Sequence, residues 1–443
     1  MKIILPADVK FIINTLYNHG YEAFVVGGCV RDSILDLSPK DWDICTKAEP
    51  KEIIDCFIGL KIIHTGIKFG TITLVLNDKT YDITTYRTDG RYSDNRHPDE
   101  VKFIKSLKED LSRRDFTINA MAYNDKDGLI DCFEGKRDLY NQTIRCIGEC
   151  KKRFEEDALR ILRALRFAAV YNFEIEYNTR RAILDKKELL RILHPYRIKK
   201  EFNKLLLGEA IEKILLQYSS VISVLIPEII PAIGYNQNNP YHIYDVWEHT
   251  AKSIACSNND IIVRLSMLFH DLSKSMCYSN NIYASGHFYD HAKKSAEMAK
   301  QILERLEYDN DTIYHVYKLI FYHDTKISPD RIQIKRWLNE IGRRSFFRLL
   351  EIKIADAKAQ NPIYLNERLK IYNIILKETE IIFNQNLCFK LEDLDIDGKD
   401  IIQLGYSEGI EIGNILNYLL NLVIEEKVEN KKERLIKEIS NFK

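Results

Sequence analysis

The spacing of apolar residues changes character once along this 443-residue chain, and that change limits the fold more than composition does. Up to about residue 140, short β-like runs alternate with Gly-rich turns: Ala23 to Val26, Trp42 to Cys45, Thr71 to Leu76 and Tyr81 to Tyr86 each read as a strand. From about Arg145 to Lys443, apolar residues recur three and four apart, the period of helices that bury one face. The fold class predicted is α+β, a mixed-sheet N-terminal domain followed by an all-α remainder. The length exceeds what one core usually serves, so two to four domains in series are expected. An Asn-rich passage with a proline, GYNQNNPY from Gly234 to Tyr241, places a boundary near residue 235.

Lys plus Arg and Asp plus Glu each number 65, so no global field draws the protein to nucleic acid and any RNA-binding face has to be local. Between Arg145 and Lys213, 17 Lys and Arg stand against 11 Asp and Glu, which is either such a face or a set of solvated helix surfaces. Nine scattered cysteines, an odd number without a CxxC pair, fit a reducing cytoplasm. The N-terminal MKIILPADVKFII has no signal-peptide pattern, and no run of about eighteen apolar residues occurs, so neither secretion nor a membrane span is expected.

Chemistry concentrates in the N-terminal part. In FVVGGCVRD, Gly27 and Gly28 follow an apolar strand and precede a helix carrying Arg31 and Asp32. Glycines there let backbone amides approach phosphate oxygens beside the positive end of the helix dipole. In PKDWDI, strand alternation puts Asp41 and Asp43 on one face, where two carboxylates repel unless a cation sits between them. Magnesium suits such a pair together with substrate phosphates, and Asp82 in YDITTYR is either the third acid or a plain strand-surface carboxylate. In RRDFTINAMA, Arg113, Arg114 and Asp115 precede an apolar helical start containing Asn119. The guanidinium fork suits a triphosphate or ribose, whereas Asp115 also reads as a helix N-cap. RFEEDALRILRALRFAA reads as one helix with a buried stripe of Ala158, Ile161, Leu162, Leu165 and Ala168. Asp157, Arg160 and Arg163 then share another face, either as ordinary ion pairs or as donors and acceptors for the edge of an incoming base.

GGCVRD, KDWDI, YDITTYR, RRDFTINAMA and EEDALRILRALRF occur in the order and approximate spacing of bacterial-type CCA-adding enzymes and poly(A) polymerases, and the chain resembles that superfamily. The resemblance implies a head like the DNA polymerase beta nucleotidyltransferase fold over residues 1–140, a helical neck over 141–235, an HD-type helical domain over 236–370 and a tRNA-binding tail over 371–443. It implies Gly28 and Arg31 at the triphosphate, Asp41 and Asp43 at the metal, Arg114 at the nucleotide, and Asp157, Arg160, Arg163 and Arg166 as the residues that select CTP or ATP. Asp82, Asp115 and Asn119 complete the expected head site. YRTDGRYSDNRHPDEVKF resembles the flexible loop that accompanies the switch to ATP, with His97 where the family often has Arg. The passage from IDGKDIIQLGYSEG to KKERLI is similar to the tail of CCA-adding enzymes. The implied activity is template-independent addition of CCA to tRNA from CTP and ATP, with A-only addition or poly(A) synthesis as alternatives.

His249, His270, Asp271, His291, His323 and Asp356 follow the order of an HD-type phosphohydrolase site, and HDLSK resembles its HDxxK signature. Such groups hold one or two divalent metals that activate water. In the family this domain is either a 2′,3′-cyclic phosphodiesterase or phosphatase, or a body that carries RNA. A phosphohydrolase with an inactive head would lack the paired acids or the Arg face, and a non-catalytic RNA-binding module would not need the acids; both features are present.

Overall fold

The computed structural model describes residues 2–90, 101–279, 287–288 and 290–440. They form two compact units, Met1–Pro227 and Glu228–Lys443. Among the described residues no helix is long and apolar enough to cross a membrane.

The first unit is organised by strand β1, Ala23–Val26, whose residues AFVV are all buried. Beside it run β2 (Ile44–Thr46), β3 (Lys61–Ile63), β4 (Thr71–Leu76), β5 (Lys79–Thr85), β8 (Met121–Asn124) and β9 (Gly128–Asp131), in the spatial order β3-β4-β5-β2-β1-β8-β9. Between them in sequence lie the short antiparallel pair β6 (Arg87–Asp89) and β7 (Val101–Phe103). The sheet is mixed, as expected: β2 and β5 are parallel, with Ile44 opposite Ile83, and the other neighbours are antiparallel. Helix α1 (Ala7–Asn18) packs against β1 and buries Val9, Ile12, Ile13 and Leu16, one stripe at helical spacing. Helices α2 (Gly28–Ile34), α3 (Pro50–Cys56), α4 (Leu107–Ser112) and α5 (Gly135–Tyr140) connect the strands.

Four sequence expectations need correction. The strand read over Trp42 to Cys45 starts only at Ile44. Its neighbour β1 ends at Val26, where Gly27 turns away at φ 82°, so Asp43 keeps one ladder bond, its carbonyl accepting from Val26 N at 3.0 Å. RRDFTINAMA does not open a helix: a single 3₁₀ turn, Thr117–Asn119, leads into β8, whose pairing with β1 (Val25 opposite Tyr123) outweighs local propensity. The long helix expected over RFEEDALRILRALRFAA is two helices, α6 (Cys150–Glu156) and α7 (Leu159–Tyr171). Asp157 between them is extended (φ −145°, ψ 102°), and its Oδ1 accepts from Leu159 N at 3.1 Å, a local bond that competes with helix continuation. The predicted stripe of Ala158, Ile161, Leu162, Leu165 and Ala168 is buried as read. The remainder is not wholly α: β10 (Thr143–Ile144) pairs in parallel with β11 (Glu174–Ile175), and β12 (Tyr278–Ser279) pairs with β13 (His287–Phe288).

Helices α8 (Tyr177–Lys186), α9 (Pro195–Leu206), α10 (Ile211–Gln217) and α11 (Ser219–Leu225) complete the first unit, with α9 against α7. Gly208 permits the chain after α9 to reach α7, because a Cβ there would lie 2.6 Å from Ala169 Cβ. The second unit is a helical assembly of α12 (Val246–Ala255), α13 (Ile261–Phe269), α14 (His291–Arg305), α15 (Asn310–Tyr322), α16 (Arg331–Lys358) and α17 (Leu365–Asn384). Then follow α18 (Gly398–Gln403), α19 (Ile410–Ile424) and α20 (Lys432–Ile439), which share an apolar cluster centred on Ile401, Ile415, Leu419 and Leu435.

Candidate functional site

A cleft of about 610 Å³ in the first unit gathers residues from distant parts of the sequence. Its walls include Gly27, Gly28, Arg31, Asp43, Arg114, Asp115, Asn119, Asp157, Arg160, Arg163 and Arg166, together with Gly66, Phe69, Thr71, Arg87, Arg113 and Phe167. Of the expected head residues, Asp41 and Asp82 stand outside this lining. Both still act on the Asp43 carboxyl, which crowding by the protein and the charges of Asp82 and Asp41 push above its ordinary range, against the pull of Arg114. The β2–β5 register explains the meeting of Asp43 and Asp82: each immediately precedes one of the paired residues Ile44 and Ile83. Asp82 is steadied by Thr73 Oγ1, which donates to its Oδ1. Three carboxylates close enough to act on one another are an arrangement that a divalent ion relieves.

Above the acids the glycines do steric work. A Cβ at Gly27 would lie 2.9 Å from Arg114 Nη1. Arg113 and Arg114 are anchored by Asp110, a wholly buried carboxylate that sequence reasoning missed: Arg113 Nε and Nη2 each lie 3.0 Å from its Oδ1, and Arg114 Nη2 is 3.6 Å from Oδ2. The i, i+3 and i, i+4 spacing in KEDLSRRD was the available signal. Arg31 donates to Asn119 Oδ1 at 2.5 Å and to Asp32 Oδ1 at 2.9 Å, and its guanidinium lies 5.1 Å from the Phe167 ring and 4.9 Å from Tyr171. Tyr171 in turn donates to Asp32.

Asp115 is the hub. Its Oδ1 accepts from Asn119 Nδ2 at 3.0 Å and from Phe116 N at 2.8 Å, and its Oδ2 accepts from Arg163 Nε at 2.7 Å. Burial pushes this carboxyl up, but Arg163, Asn119 and Arg160 outweigh burial and leave it well below the ordinary carboxylate range. Asp115 therefore orients Asn119 and Arg163 rather than capping a regular helix.

The shared face expected for Asp157, Arg160 and Arg163 is replaced by three separate attachments. Asp157 lies off the helix, and Arg197 Nη2 donates to both of its oxygens at 3.1 Å. Arg160 donates to Glu156 Oε2 and to the carbonyls of Arg153 and Arg113. Arg163 goes to Asp115, and Arg166 pairs with Glu201 at 2.9 Å. Burial lowers the Arg166 guanidinium to about 10, with the Arg163 charge adding to the effect and Glu201 opposing it. Arg197 and Glu201, one turn apart on α9, escaped the sequence reading because their partners lie about forty residues away. The loop segment with His97 lies outside the described residues.

The second unit brings its six expected residues together from five elements. His249 comes from α12, His270 and Asp271 from the end of α13, His291 from the start of α14, His323 from the end of α15 and Asp356 from α16. His249, His270 and Asp271 form one group with ligand atoms within 4.8 Å of one another, and Asp271, His291 and His323 form a second. His249 Nε2 lies 2.9 Å from Asp356 Oδ1, and His291 Nε2 lies 3.2 Å from His323 Nε2. The far nitrogens of His270 and His323 are each 2.7 Å from a backbone carbonyl, of Met267 and Ile320, which aims both Nε2 atoms inward. Lys274 Nζ stands 2.6 Å from Asp271 Oδ2 and donates to Gln237. Asp271, shared by both groups, is buried and its oxygens make no well-aligned hydrogen bond, so the donor set fits divalent cations.

Residues 23–145 match the family model described as the poly(A) polymerase head domain, residues 172–233 that of a probable RNA- and SrmB-binding site of polymerase A, and residues 282–439 that of tRNA nucleotidyltransferase domain 2. The CCA-adding enzyme of Lactobacillus helveticus is 31% identical over 434 residues, covering 97% of this chain and 96% of that protein. That of Enterococcus faecalis is 47% identical over 197 residues, 44% of this chain and 48% of that protein. Among solved structures, the Bacillus stearothermophilus CCA-adding enzyme in complex with CTP aligns over 99% of this chain and 98% of its own, with a TM-score of 0.70 at 26% identity. The Thermotoga maritima CCA-adding enzyme complexed with tRNA aligns over 100% of both chains with a TM-score of 0.60; at 22% identity that likeness concerns the fold.

Proposed function

Since this chain belongs to the CCA-adding enzyme family, we propose that the cleft of its first unit is where CTP and ATP are joined to the 3′ end of tRNA. The protein is a tRNA nucleotidyltransferase, and CCA addition is favoured over A-only addition and poly(A) synthesis. The observation that carries the site assignment is that one cleft collects a glycine turn, seven arginines, Asp43 and Asp157 from five separate sequence motifs.

Asp41, Asp43 and Asp82 are the residues that would hold magnesium. Bound there, the ion would supply charge neutralisation for the triphosphate and a more acidic 3′-hydroxyl. Arg31, Arg114 and the backbone around Gly28 receive the triphosphate, their positions fixed in advance by Asn119, Asp32 and Asp110. The RNA 3′-hydroxyl attacks the α-phosphate in line and pyrophosphate leaves, so the protein contributes mainly alignment and charge. Asp157 and Arg160 meet the base edge in place of a template, while Arg163 and Arg166 hold that wall through Asp115 and Glu201. In this reading residues 1–140 carry the chemistry, 141–235 the base choice and part of the RNA, and 371–443 grip the tRNA.

The test is incubation of the purified chain and Mg²⁺ with tRNA ending before CCA, after C and after CC, given CTP and ATP separately and together. Ordered addition of C, C and A, lost in Asp41→Ala and Asp43→Ala, supports the reading; extension of the CC-ending substrate alone makes the protein an A-adding specialist.

The histidine cluster favours a second reading for residues 236–370. We propose that it binds one or two divalent cations and hydrolyses phosphate esters such as 2′,3′-cyclic phosphates. The supporting observation is the pair of three-residue groups that share Asp271. Metal analysis and hydrolysis assays of the wild type and Asp271→Asn test it; a wild-type protein that retains no metal and no hydrolysis refutes it.

A further inference from the structure

We propose that Arg197 is a positioning residue that decides which nucleobases the cleft accepts, by holding the carboxylate of Asp157. The inference rests on the reading of Asp157 as a base-facing group. Asp157 sits at the break between α6 and α7, off both helices, so neither helix orients its side chain. Two contacts do so instead: Oδ1 accepts from Leu159 N at 3.1 Å, and Arg197 Nη2 lies 3.1 Å from each oxygen. The two side chains are 18% and 15% exposed, so the pair is largely desolvated and its geometry is set by the protein.

A carboxylate offers about four acceptor positions. Leu159 N and the two contacts to Arg197 occupy three, which leaves room for one further donor on the cleft side. Cytosine N4 and adenine N6 are amino groups and donate there, whereas uracil O4 and guanine O6 are acceptors and meet the lone pairs of the carboxylate. Without Arg197 the carboxylate turns about its own bonds, takes water on any face, and loses the single outward orientation on which that distinction depends. Arg197 is not needed to dock its helix. One turn further along α9, Glu201 pairs with Arg166 at 2.9 Å, and Ile198, Phe202, Leu205 and Leu206 are buried on the same helix.

The experiment compares wild type, Arg197→Ala, Arg197→Lys and Asp157→Ala as full-length chains. Single-turnover extension of tRNA ending before CCA is measured with CTP, ATP and UTP, and thermal unfolding is recorded alongside. The expected result is that Arg197→Ala reduces the preference for CTP over UTP by about tenfold, as loss of one oriented base contact does. Arg197→Lys should recover part of that preference, and both variants should fold. If Arg197→Ala slows all three nucleotides alike with preference intact, Arg197 is only a staple between helices and the proposal fails. If Asp157→Ala itself leaves the preference unchanged, the reading of Asp157 fails first and carries the proposal with it. Should Arg197→Ala not fold, Arg197→Met, which keeps the apolar stem and removes the charge, takes its place, and wild-type selectivity with lowered stability in that variant overturns the proposal equally.

Discussion

Replacing Asp115 with Asn should be costly although it leaves the side-chain volume nearly unaltered. The wild-type carboxylate is 8% exposed and serves Arg163, Asn119 and the Phe116 amide at once. An amide in its place offers one acceptor oxygen and two N–H donors, which face a guanidinium that only donates. Removing one partner of a buried ion pair costs about 3–5 kcal/mol. For a folding unit of this size each kcal/mol moves the midpoint by about 2–4 °C, so the melting temperature should fall by roughly 6–20 °C. The Asp115 carboxyl is depressed in the folded state, so its contribution is fully present above the unfolded value near 3.9 and is lost as pH falls through the lower folded value. The stability gap between wild type and Asp115→Asn should therefore be flat from pH 5 to 8 and close only in strong acid. Thermal unfolding across that range measures it. A gap below about 1 kcal/mol, the level of an exposed pair, or one that varies between pH 6 and 8, would refute the argument.

Asp43→Ala and Asp82→Ala should each lower tRNA extension by at least about a hundredfold while leaving the melting temperature within a few degrees, as loss of charge stabilisation at a reacting phosphate does; comparable extension by either variant removes that acid from the site. Gly208→Ala should destabilise the chain by about 1–3 kcal/mol, since its Cβ would meet Ala169 at 2.6 Å, and urea unfolding checks this. Asp271→Asn should lower the metal retained after gel filtration without changing CCA addition under saturating Mg²⁺, which separates the two sites. The Cys150 thiol is lowered to about 6, first by a hydrogen bond from Cys146, with burial opposing, so its alkylation by iodoacetamide should level off above about pH 7 while Cys45, buried and pushed well up, stays unreactive.

The glycine turn, the paired acids, the arginine-rich motifs and the histidine series were legible because each is a local pattern whose chemistry depends on residue type and short spacing. So was the change from strand to helix near Arg145, and the buried stripe of α7 followed from its period. What failed locally failed for a tertiary reason. Trp42 does not extend β2 because β1 has already turned away at Gly27, and Met121 to Asn124 extend as β8 because β1 needs a partner on that side.

By itself the sequence determined most of the element types, the two groups of candidate site residues and the family to which they belong, all set by composition and period within a few turns of chain. Only the tertiary structure decided which groups meet: that Asp82 joins Asp43 through a parallel register, that Asp115 orients Asn119 and Arg163, that Asp157 answers to Arg197, and that Asp271 stands between two sets of histidines. Hydrogen bonds and ion pairs act over about 3 Å in space, and separation along the chain carries no record of that distance.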